Sequence, residues 1–320
     1  MSAIIETPED DTPRLIYADW LEEHGQPERA EFIRVQCELA TIAQNDPRRP
    51  ELEGREQELF AAHGAEWMAG IPYVQLRSPE NDPLTTEHVL VQRGFIGRAV
   101  VDGETAVQHG EALGQQPLAC LRIQNITLSV LDRLRQNAIF QPVRHLRFEE
   151  ENLQDVVNTR VASILARSPH TRTLQTLDFG NLSCRSLAAS EIDPVHRVNL
   201  SGYQRTFDAL SVIGQSTKFR TLQCLKMRDA GMFSEIPNPN SLINLQEYHS
   251  RFTSNDERIQ LAALLRGKKL PALRIVHVSR GEIPARHRQL AEKKNIRLTT
   301  NQEELASARQ QLNLPTLPEL

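Results

Sequence analysis

The side chains of this 320-residue chain that could do chemistry are scattered. The four cysteines, Cys37, Cys120, Cys184 and Cys224, lie 83, 64 and 40 residues apart, with no CxxC pair and no Cys/His cluster of metal-ligand spacing. The ten histidines are dispersed, and none stands four residues from another. A phosphate-cradling GxxxxGK[ST], a zinc-binding HExxH and a GxSxG nucleophile elbow have no match. Asp10, Asp11 and Asp19 are close enough in sequence to suggest a cation site. The first two, however, complement a helix N-terminus, and the third falls on the polar strip of a helix. The sequence therefore nominates no catalytic residue, no metal ligand and no cofactor. An enzyme whose groups meet only in three dimensions is the remaining route to catalysis.

A pattern that recurs along the chain is more informative. Triples of the form apolar-x-x-apolar-x-apolar, close to the leucine-rich-repeat strand LxxLxL, occur at Leu118/Leu121/Ile123, Val143/Leu146/Phe148, Leu174/Leu177/Phe179, Val195/Val198/Leu200, Leu222/Leu225/Met227 and Leu270/Leu273/Ile275. A further one, Leu242/Leu245, fails at Glu247. Successive triples start 25, 31, 21, 27, 20 and 28 residues apart, and most intervals hold a helical pattern: Ser129–Gln141, Asn158–Arg167, Arg205–Gln215, Asn255–Arg266. An earlier unit at Ile96/Ala99/Val101, followed by Glu104–Leu113, keeps the same phase.

In such a strand the residue between the last two apolar positions faces out of the core. That position reads Arg122, Arg147, Asp178, Asn199, Lys226, Gln246 and Arg274, four of the seven being cationic. These residues are the candidate partner-binding surface. Their chemistry suits an acidic protein surface or another polyanion. The same register leaves Cys120 and Cys224 partly exposed and open to alkylation. Asn125 and Asn181 come one residue before the place of the usual turn asparagine, so the array should be irregular.

The elements that must position this surface begin with a helical region. In DDTPRLIYADWLEEHG, Thr12 can cap a helix that starts at Pro13, and Gly25 and Pro27 close it. On a helical wheel Ile16, Trp20, Tyr17, Leu21 and Ala18 span an arc of about 200°. Trp20 and Tyr17, at its middle, should lie between the second helix and a further layer, either the third helix or the strand near Phe95. Glu28–Ala43 reads as the second helix and Pro50–His63 as the third, with Gly64 able to end it.

DDTPRLIYADWLEEHG, PERAEFIRVQCELA and ELFAAHGAEWMAG resemble the bacterial, planctomycete-type repeat-companion domain, a module usually found before degenerate leucine-rich repeats. RGFIGRAVV, Arg93–Val101, resembles the element that joins module to repeats. The resemblance is dense over residues 9–70 and implies an architecture without a reaction. The expected fold is α/β: a small all-helical cap over residues 1–80, then an irregular leucine-rich-repeat solenoid of parallel strands and helices over 81–320.

Composition bounds the rest. Hydrophobic residues make up 39% and charged residues 24%, no apolar run approaches the ~18 residues of a membrane span, and the acidic start MSAIIETPEDD lacks the features of a signal peptide. A cytoplasmic protein is expected. Net charge is −4, too acidic for a general nucleic-acid binder, and aromatics at 5% are few for base stacking. The expected function is non-enzymatic protein–protein interaction through the concave face. Nucleic-acid or polyanion binding by the basic stripe is the alternative.

Overall fold

The computed structural model describes residues 1–76, 87–149, 164–178, 222–229, 242–251, 261–279 and 282–314, apart from 166, 172, 263 and 267–269. The protein is mixed α/β, as expected, and it divides into two compact units: residues 1–122 with 137–143, and residues 123–136 with 144–320. The expected boundary after residue 80 lies inside the first unit. Among the described residues no helix is long and apolar enough to cross a membrane.

The first unit opens with four helices, α1 (Ser2–Glu6), α2 (Thr12–Glu23), α3 (Pro27–Thr41) and α4 (Arg49–Trp67). The last three carry proline in the first turn, where its missing N–H costs nothing. The start of α2 differs from expectation: Asp11 is the N-cap residue without a side-chain cap bond, and Thr12 is the first helical residue, its amide donating to Asp10 Oδ1 at 2.9 Å. Helix α4 runs through Gly64, the expected stop, to Trp67, and the glycine gives room to the Phe60 ring. A Cβ there would lie 2.9 Å from Phe60.

Helix α2 meets α3 through small residues. Ala18 and Ala30 are fully buried and share a cluster with Ile4, Leu21, Ile33, Cys37 and Phe95. This close approach turns Arg14, Ala18 and Leu21 inward and leaves Ile16 64% and Trp20 47% exposed, so the expected burial of Trp20 is overturned. Only Tyr17 follows the expectation, with its ring 5.9 Å from Phe95. Trp20 instead stacks on Tyr17 and His24 at the surface.

Strands β1 (Val74–Gln75), β2 (His88–Gln92) and β3 (Phe95–Asp102) follow, β1 parallel and β3 antiparallel to β2. The β2–β3 turn is Arg93–Gly94, with φ of 51° and 84°, the left-handed pair that a two-residue hairpin of matching twist requires. Its tip is clamped by α3. Gln36 Oε1 accepts the Gly94 amide at 2.6 Å, Arg29 Nη2 donates to the Gly94 carbonyl, and a Cβ on Gly94 would meet Ile33 at 2.5 Å. This docking puts the RGFIGR segment in the same unit as the helices. Helix α5 (Gly103–Gly114) follows, capped by Asp102.

Strand β4 (Cys120–Gln124) contains the division between the units, and α6 (Leu128–Leu134) follows it. Asn125 joins them at φ 50°, a left-handed conformation that asparagine tolerates. The stretch expected as one helix, Ser129–Gln141, ends early and is followed by a 3₁₀ turn at Ala138–Phe140.

In the second unit β5 (His145–Glu149), β6 (Thr176–Asp178), β7 (Cys224–Asp229), β8 (Glu247–Arg251), β9 (Ile275–Val278) and β10 (Arg297–Thr299) are parallel and follow chain order. Leu146, Leu177, Leu225, Tyr248 and Val276 stand in register, each 0% exposed. Each such burial is worth roughly 1.5–3 kcal/mol, so this column fixes the register. Helices α7 (Ala285–Lys293) and α8 (Gln302–Gln311) flank β10 in sequence. The triple at Val195, the helix expected over 205–215 and Cys184 lie outside the described residues.

Candidate functional site

Since neighbouring side chains on a strand alternate between faces, the residues on either side of the buried column form two rows on the opposite face. One reads His145, Thr176, Cys224, Glu247, Ile275, Arg297; the other reads Arg147, Asp178, Lys226, His249, His277, Thr299. This polar face is the candidate site.

Its N-terminal part is a triad of charges. Asp178, 10% exposed at its side chain, is flanked on neighbouring strands by Arg147 at 4.0 Å and Lys226 at 3.7 Å. The two cations are 23% and 27% exposed. Arg147, Asp178 and Lys226 thus share the row that the repeat pattern assigns to them, in the order cation, acid, cation.

Its C-terminal part is a buried network. Glu247 accepts from Arg309 Nε at 2.9 Å, from Arg309 Nη2 and from His249 Nε2. Cys224 Sγ lies 3.9 Å from the same carboxylate. Burial would raise the Glu247 carboxyl, but the bonds from His249 and Arg309 outweigh it and hold the group down at about 2. Burial lowers His249 against the pull of Glu247. Burial, and then the neighbouring His249, take His277 down to about 4, with its Nδ1 bonded to Thr299 Oγ1 at 2.9 Å. Cys224, Glu247 and His249 are the group among the described residues able to hold a metal ion.

Helix α8 brings Arg309 to this face. Leu305, Ala308, Arg309 and Leu312 recur at the spacing of one helical side, and Leu305, Ala308 and Leu312 pack on Ile275. Asn301 caps the helix through the Glu304 amide at 2.8 Å, while Glu304 accepts the Thr300 amide at 2.6 Å.

Two of the predicted surface residues are displaced. The β8 and β9 anchors are Leu245/Tyr248 and Leu273/Val276, three residues later than Leu242/Leu245 and Leu270/Leu273. Gln246 and Arg274 therefore precede their strands, in a backbone column with Gln175 and Gln223. The Arg274 guanidinium turns back to the carbonyls of Pro271 and Leu273. His249 and His277 take the outward places. Arg122 is buried, 6% exposed, and belongs to the first unit, while Asn199 lies outside the described residues. Cys224 is buried rather than partly exposed. Cys120 is partly exposed, but burial raises its thiol to about 11, which opposes alkylation.

Sequence reasoning missed Glu247, His249, His277 and Arg309. The mismatch at Glu247 was the available signal: a carboxylate where the repeat required an apolar residue marks a shifted phase. Asp10, Asp11 and Asp19 form no metal-ligating group among the described residues. Asp10 accepts the Thr12 amide at 2.9 Å, Asp11 pairs with Arg93 at 3.2 Å and Asp19 with Arg34 at 2.6 Å. Compared with protein-family models and with curated proteins, the chain matches none.

Proposed function

We propose that the protein is a non-enzymatic binding module of the repeat-companion and degenerate leucine-rich-repeat type, and that it holds an acidic protein segment on the polar face of its second unit. The observation that carries this reading is the Arg147–Asp178–Lys226 triad. One largely buried carboxylate lies between two partly exposed cations on adjacent strands, 4.0 Å from Arg147 and 3.7 Å from Lys226, so the cations are held near the place where an acidic segment would bind. The face between β8 and β10 is occupied by α8, which confines the proposed contact to β5–β7. Nucleic acid or another polyanion is the weaker alternative, because Asp178 interrupts the stripe that would follow a phosphate backbone.

The test is capture from native cell extract with wild-type protein and with Arg147→Gln/Asp178→Asn/Lys226→Gln. This triple change removes all three charges without stranding one. Stoichiometric capture of one protein, lost in the variant at unchanged melting temperature, supports the proposal. Equal capture by both proteins, or nucleic-acid binding that falls steeply with salt, overturns it.

A further inference from the structure

Cys224 on β7 stands directly across from Glu247 on β8, and His249 follows two residues along the same strand. The thiol sulfur, one carboxylate oxygen and one imidazole nitrogen lie within 4.8 Å of one another. Cys224 Sγ is 3.9 Å from Glu247 Oε1, and that oxygen is hydrogen-bonded to His249 Nε2. We propose that this cluster binds a divalent transition-metal ion of the zinc class, with Cys224 Sγ, His249 Nε2 and Glu247 Oε1 as ligands.

The donor set selects the ion. A thiolate and an imidazole favour zinc-class metals, whereas magnesium and calcium require oxygen throughout. With metal–ligand bonds of about 2.0–2.3 Å, a tetrahedral site separates its ligand atoms by roughly 3.3–3.6 Å. The sulfur–oxygen separation is already within a few tenths of an ångström of that range. The His249–Glu247 pair, now joined through a proton, opens to admit the ion in its place.

On binding, Cys224 releases one proton to solvent, and the imidazole proton moves from Nε2 to Nδ1 so that the Nε2 lone pair faces the metal. Arg309 keeps Glu247 oriented from outside through Nε and Nη2. The fourth position remains for solvent. A buried ion pair alone would explain Glu247, His249 and Arg309, but it gives the sulfur no role. The test therefore turns on Cys224.

Full-length protein stripped with a chelator is titrated with Co²⁺, and thiolate-to-cobalt charge-transfer absorption is recorded. The expected result is one ion per chain, displaced by Zn²⁺. The band should be absent in Cys224→Ser and retained in Cys37→Ser, Cys120→Ser and Cys184→Ser. His249→Gln should weaken binding by more than about a hundredfold, beyond the effect of an outer partner. X-ray absorption of the zinc-loaded wild-type protein, which requires no variant to fold, should show one sulfur in the first shell. No charge-transfer band, a band that survives Cys224→Ser, or a sulfur-free shell overturns the proposal.

Discussion

Two arginines, one in each unit, are largely withdrawn from water by opposite means. Arg29 lies among aromatic rings, its guanidinium carbon 5.5 Å from the centre of the Phe32 ring, 4.9 Å from that of Trp67 and 5.4 Å from that of Phe95, with the Gly94 carbonyl as its acceptor and no ion pair to a carboxylate among the described residues. Its Nη1 is buried without an acceptor, and burial lowers the group to about 10. Arg309 instead gives two bonds to Glu247, itself only 5% exposed. A cation over π faces leaves no opposite charge behind when it is removed. A cation paired with a buried carboxylate does.

The comparison predicts unequal costs, all for the chelator-treated protein. Arg309→Met should have the largest effect, about 3–5 kcal/mol in urea unfolding, because Glu247 is left charged and buried, while Glu247→Leu/Arg309→Met should stay near wild type. A loss below about 1 kcal/mol for the single variant would mean that water reaches Glu247, and the contrast would fail.

Acid sharpens the same contrast. His277 is held neutral in the folded state, down to about 4 against an ordinary 6.5. The groups facing it are His249, Glu247, Arg309, Lys226 and Thr299. As pH falls from about 6.5 towards 4 the unfolded chain takes the proton first, so roughly 3 kcal/mol of stability is lost across that window and none from this group below it. Hydrogen exchange in β8–β10 should rise there before exchange in α2–α4 does, since those helices belong to the first unit. His277→Gln should flatten the loss.

Arg29→Met should cost only about 1–2 kcal/mol, the value of a desolvated cation–π contact with one carbonyl bond, less what the apolar replacement regains. A cost equal to that of Arg309→Met would show that the cage is as demanding as the ion pair. Trp20→Ala should have the smallest effect, under about 1 kcal/mol, because Trp20 stacks at the surface; a loss of about 3 kcal/mol or more by thermal melting would restore the buried position that its helical arc suggested.

Much of the architecture was legible in the residues. Prolines and apolar periodicity gave α2 to α4 to within a few residues, and three-residue spacing of apolar side chains gave the β5, β6 and β7 anchors in their true phase. At β8 and β9 the same spacing was ambiguous. Leu242, Leu245 and Tyr248 are three residues apart, as are Leu270, Leu273 and Val276, and local pattern cannot say which pair stands beneath Leu225. Ile275 completed the false triple because it is apolar, and it is apolar because α8 covers it.

What the sequence alone determined is therefore what short-range physics controls: where helices start, which strands recur, and that the class is α/β. Tertiary structure decided which face each helix and strand presents. Close packing of Ala18 near Ala30 turned Trp20 outward, although Trp20 has the larger apolar surface. Strand pairing placed Cys224 beside Glu247 across 23 residues, and α8 carried Arg309 back to the same carboxylate across 62. Contacts of that range leave no periodic trace, because each depends on a register set by other strands. The chemistry-bearing cluster therefore becomes visible only when the sheet is assembled.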